Sequence, residues 1–113
     1  MPATYDDAAL VVQLVRWETE MGLPESVSAI ISDSYDPESA AADDPHVRSV
    51  LLFGETVGTL VKHGVLDKGL VLDLWWIEGL WSRVGPPARR GRERAGEPRL
   101  FENFEALAAA AGS

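Results

Sequence analysis

The stretch from Asp67 to Val84 most constrains what this chain can become. Leu70, Leu74, Ile77, Trp81 and Val84 recur at helical spacing and draw one apolar row. Val71 with Trp75, and Leu72 with Trp76, add two further rows. Apolar side chains therefore cover most of the circumference over the first two turns. A helix of that kind is either central in its fold or covered by a partner. The expectation is a single helix capped by Asp67 and broken or kinked at Gly85-Pro86-Pro87, because proline removes a donor and clashes with the preceding turn.

The remaining segments also carry helical periodicity. Leu10, Leu14, Trp17 and Met21 mark the inner face of a first helix, with Asp6 or Asp7 as its cap and Gly22 as its stop. Pro24 suits the first turn of a short second helix that buries Leu23, Val27, Ile30 and Ile31. Residues 33–44 form an acidic connecting loop. Asp44 caps a third helix with Pro45 in its first turn, and His63-Gly64 closes it. A basic segment from Ala88 to Ala95 ends at Gly96, and a last helix begins at Glu97-Pro98, burying Leu100, Phe104 and Leu107. No period-two alternation is sustained. The fold class expected is all-α, a compact bundle of five to six helices, some short, as one domain over residues 1–113.

Composition narrows the chemistry. With 113 residues there is room for one core. The absence of cysteine excludes disulfides, thiolate nucleophiles and thiolate metal sites. No run of about 20 apolar residues exists to span a membrane. Met1-Pro2-Ala3-Thr4 lacks the basic start of a secretion signal, and a cytoplasmic location is expected. Eight arginines against two lysines, with abundant alanine, read as a high-GC bacterial composition.

Charge is divided unevenly. Residues 1–44 hold ten acids and one base, whereas residues 45–113 hold eight acids and nine bases. Most of the bases form a patch at Arg83, Arg89, Arg90, Arg92 and Arg94, with Arg99 beyond it. Attraction between the acidic front and this patch explains the pattern most simply. Nucleic-acid binding by the patch is disfavoured, because aromatics are not interleaved with it and a net charge of −8 repels phosphate.

Three groups of residues stand out as candidates. Gly54 and Gly58 lie one turn apart inside the third helix, where each costs about 1 kcal/mol relative to alanine; close approach of another helix is the usual compensation. Trp75, Trp76 and Trp81, with Leu72 beside them and Trp17 elsewhere, suit a core, an interface centre or a pocket wall. Asp73 and Glu78 fall within the apolar run, and if buried each needs a partner such as Lys62, His63 or Arg83. No phosphate loop, nucleophile elbow or Glu-x-x-His pair occurs, so no catalytic set, metal site or cofactor is expected.

The segments Thr59-Leu60-Val61-Lys62-His63-Gly64-Val65-Leu66-Asp67, Asp73-Leu74-Trp75-Trp76 and Pro98-Arg99-Leu100-Phe101-Glu102-Asn103-Phe104-Glu105 resemble an uncharacterised bacterial helical family, a domain of unknown function. The resemblance covers about Phe53 to Leu107. It implies an α-helical fold and brings no established activity or catalytic residues.

Together these features suggest a non-enzymatic helical interaction module. It would form a homodimer, or bind another protein, through the fourth helix and its neighbours. A small-molecule or lipid-binding bundle with a tryptophan-lined cavity is the alternative, and a nucleic-acid accessory protein using the arginine patch is a further one.

Overall fold

A computed structural model describes residues 2–111. The described residues form six helices and no strand: α1 (Tyr5–Glu20), α2 (Leu23–Ile31), α3 (Pro45–Lys62), α4 (Lys68–Leu74), α5 (Ile77–Ala95) and α6 (Glu102–Ala111). This is the all-α bundle that the periodicity predicts. The ends of the 1–113 span lie outside the described residues.

Local chemistry accounts for most boundaries. Asp44 accepts the amides of His46 and Val47 and so caps α3, with Pro45 in its first turn. Gly22 and Gly96 take left-handed φ values of 72° and 65°, which glycine adopts without strain. α1 starts earlier than Asp6 or Asp7 would place it. Thr4 is the cap, and Asp7 returns the bond in a capping box: the Asp7 amide donates to Thr4 Oγ1, and the Thr4 amide donates to Asp7 Oδ2 at 2.8 Å.

α3 is the hub, packing against α2, α5 and α6. Its Val47, Val50, Leu51, Phe53 and Val57 are wholly buried. They meet Ile30 of α2, Val84 and Ala88 of α5, and Phe104 of α6 in one core.

The continuous fourth helix expected from the sequence is two helices. α4 ends at Leu74, and Trp76, at φ −82° and ψ 65°, is the centre of an inverse γ-turn in which the Ile77 amide donates to Trp75 O at 2.9 Å. The break therefore falls ten residues before the prolines. Conversely, Gly85-Pro86-Pro87 breaks nothing, since α5 runs through it from Ile77 to Ala95. Proline at position 87 leaves the Arg83 carbonyl without its helical donor. Tyr35, in the loop after α2, supplies the missing hydrogen bond: its hydroxyl donates to Arg83 O at 2.7 Å. Pro87 and Ala88 are then free to bury against the core.

α6 begins at Glu102, not at Glu97-Pro98. Residues 97–101 are consumed in turns, where the Leu100 amide donates to Glu97 O and the Glu102 amide to Arg99 O. Phe101 closes this reversal in a left-handed conformation, φ 62°, which a side chain rarely adopts.

Candidate functional site

The α3–α6 crossing is built on the paired glycines. A Cβ at Gly54 would collide with the ring of Phe104, and one at Gly58 with the backbone carbonyl of Asn103. Both glycines therefore serve an approach within the chain. That approach brings the first turn of α6 over Glu55. Glu55 Oε1 accepts the amides of Asn103 and Phe104 at 3.0 and 2.9 Å. Its Oε2 accepts from Asn103 Nδ2 at 2.9 Å, and the same Nδ2 reaches Thr59 Oγ1 at 3.1 Å. A carboxylate of α3 thus caps a helix that lacks a capping side chain of its own.

The tryptophans separate. Trp81 is buried edge-on to Phe104, with ring centres 5.0 Å apart. Trp75 is half-buried and stacks edge-on to Phe53, whose other side meets Trp17; its Nε1 donates to Glu18 Oε2 at 3.3 Å. Trp76 is 61% exposed and lies across Gly79, where its indole occupies the space a Cβ would need. Leu72 is half-buried beside this turn. The apolar surface expected of one fourth helix is thereby divided between the core and an exposed edge at Leu74 and Trp76. Asp73 and Glu78 are exposed, so the buried ion pair expected around them does not form.

The arginine patch is engaged mainly with main-chain oxygens. Arg83 Nε donates to Ile30 O at 2.7 Å, its Nη2 reaches Tyr35 O at 3.3 Å, and its guanidinium lies 5.1 Å from the Tyr35 ring centre. Arg90 Nη2 donates to Pro37 O at 2.7 Å and also to Ala40 O. Arg83 and Arg90 thus hold the acidic loop by its carbonyls and not by its carboxylates. Arg92 Nε donates to Leu100 O at 2.6 Å, its Nη1 pairs with Glu105 at 2.8 Å, and its buried Nη2 has no hydrogen-bond partner. Arg89 lies near Glu105 at 3.6 Å and over the Trp81 ring. Arg89 and Arg94 are the exposed members of the patch.

The Thr4 backbone amide holds the Asp7 carboxyl below the usual aspartate range, aided by the Thr4 hydroxyl and by the Asp67 amide, which donates to Asp7 Oδ1 at 2.9 Å. This last bond ties the start of α1 to the α3–α4 turn. The hydrogen bond from Arg99 lowers Glu102, and burial raises Tyr35. Sequence spacing gave no sign of a Ser26–His46 contact, with Oγ to Nδ1 at 3.0 Å across α2 and α3. Ser26 is buried, and His46 is exposed. Among the described residues no cluster of metal-ligating side chains occurs, and no helix is long and apolar enough to cross a membrane.

Two of the open surfaces are largely apolar. A groove of about 480 Å³ runs between α3 and α6, lined in part by Gly58, Val61, Lys62, Lys68 and Leu107. It contains none of the tryptophans. The second surface is the outer side of α1, where Tyr5, Ala8, Val12, Val15 and Thr19 are all exposed.

An all-helical domain with a hub helix and an internally capped final helix is the class these features define. The chain belongs to the family described as domain of unknown function (DUF4760), whose model matches residues 6–111. No curated protein and no solved structure matches it. Glu55 and the paired glycines together receive α6 at Asn103 and Phe104.

Proposed function

We propose that this chain is a non-enzymatic helical interaction module of the cytoplasm that forms a homodimer through the outer face of α1. The support is a seam of five positions, Tyr5, Ala8, Val12, Val15 and Thr19, spaced three, four, three and four residues apart. That is the spacing of the a and d positions of a coiled coil. All five are exposed and none is charged; Tyr5 is 96% and Val12 61% exposed. The opposite side of the same helix already faces the bundle through Leu10, Leu14, Trp17 and Met21. An apolar row about 21 Å long, from 14 steps at 1.5 Å each, is a surface for another helix. A second copy fits because a two-fold pairing sets the same row against itself and buries no charge.

Sedimentation velocity at micromolar concentration tests this. The wild type sediments as a dimer, Val12→Glu as a folded monomer, and Trp76→Ser as a dimer. Two acidic chains repel each other across an uncharged seam, so added salt strengthens the association. A wild type that stays monomeric at high salt overturns the proposal.

A further inference from the structure

Both lysines of the chain, Lys62 and Lys68, line the same groove between α3 and α6, in a molecule whose other bases are all arginine and whose net charge is −8. The groove exists because Gly58 draws the backbone of Asn103 against α3, whereas further along α6 the side chains of Ala106 and Ala110 are too short to fill the gap. Val61 and Leu107 complete an apolar floor. Neither lysine is within salt-bridge distance of a carboxylate among the described residues, where the ion pairs all involve arginine. Glu102 stands at the rim, but its carboxylate is taken by Arg99 at 2.9 Å. The result is a trough of about 480 Å³ with an apolar floor and two lysines in its lining, within the usual range for small-ligand sites.

We infer that this groove binds a fatty carboxylate, with the anionic head between the Lys62 and Lys68 ammonium groups and the alkyl tail along Val61, Ala106, Leu107 and Ala110. The two lysines supply point charges that the head satisfies, and the polar side chains of the lining, Asn103 and Glu102, already have partners in Glu55 and Thr59 and in Arg99. The site is separate from the α1 seam, so it stands or falls independently of self-association.

Isothermal titration of the full chain with octanoate, decanoate and dodecanoate, each below its micelle-forming concentration, tests the inference. Affinity rises about fourfold per added methylene, the factor that burying one such group supplies, until the groove is full. Dodecanol, with the same tail and no charge, binds about tenfold more weakly or worse, as does the Lys62→Gln/Lys68→Gln variant toward dodecanoate. The Lys62→Arg/Lys68→Arg variant keeps binding. Ala106→Leu, at an exposed helix position, fills the groove and abolishes binding while its circular dichroism stays that of the wild type. The Val12→Glu variant binds dodecanoate as the wild type does. Absence of dodecanoate binding overturns the inference, as does equal affinity in the double glutamine variant or in Ala106→Leu. Binding to anionic phospholipid vesicles without binding to monomeric dodecanoate overturns it too, and assigns the lysines to a membrane surface.

Discussion

Glu55 caps the helix that carries Phe104: its Oε1 accepts the Phe104 amide at 2.9 Å, across 49 positions of sequence. Glu55→Ala strands the amides of Asn103 and Phe104 and leaves Asn103 Nδ2 with Thr59 Oγ1 alone. Leaving such groups unsatisfied costs about 1–3 kcal/mol. Urea denaturation should show that loss, with Glu55→Gln retaining part of the stability through its remaining amide oxygen. A Glu55→Ala midpoint equal to that of the wild type would remove the cap from the account of α6.

The paired glycines should respond unequally to alanine. At Gly54 the added methyl meets the Phe104 ring, and at Gly58 it meets the Asn103 backbone, which moves only if α6 moves. Overpacking of about 1–3 kcal/mol outweighs the gain of about 1 kcal/mol in helix propensity. Denaturant midpoints should fall for both variants, and further for Gly58→Ala. A stabilised Gly58→Ala would contradict the close crossing.

Much of this architecture was legible in the sequence, and the failures have physical causes. Asp44, Gly22, Gly96 and His63-Gly64 mark real boundaries because each acts through backbone geometry of its own neighbours. The glycine pair signalled a close helix approach, which α6 makes. The break at Trp76 was hidden because one tight turn joins α4 to α5, and the apolar spacing reads across it unbroken. The proline pair misled because its remedy, the Tyr35 hydroxyl, lies 48 residues away from Arg83. Glu55 as a cap, and the meeting of Lys62 with Lys68 in one groove, depend on tertiary placement and leave no mark in local spacing.

Tyr35 and Pro87 should therefore be energetically coupled. Tyr35→Phe removes the donor to the Arg83 carbonyl, at a cost of about 1–3 kcal/mol for a group left unsatisfied. Pro87→Ala restores an amide that can serve that carbonyl from within the helix. In a double-mutant cycle the tyrosine substitution should be less damaging in the Pro87→Ala background. Additive effects would show that the hydroxyl does not substitute for the missing amide.

Acid should weaken the fold through Asp7. Its carboxyl is held below the ordinary aspartate value by the Thr4 amide, so its stabilisation is present above the unfolded value, roughly 3.9, and is lost as pH falls through the folded value. Glu102, lowered by Arg99, acts in the same direction. Melting temperatures measured from neutral pH down to strong acid should decline in that window for the wild type and decline less for Asp7→Asn. Parallel curves would show that the capping box contributes nothing to the acid limb.

Because Arg83 and Arg90 grip carbonyl oxygens of the 30–40 stretch, the attachment is indifferent to most of the side chains it spans. Foreign peptides that follow the same path and keep Ile30, Tyr35 and Ala40 could be grafted there and still be pinned to the scaffold. The segment is thus a permissive display site, fastened from beneath while its acidic lettering can be rewritten.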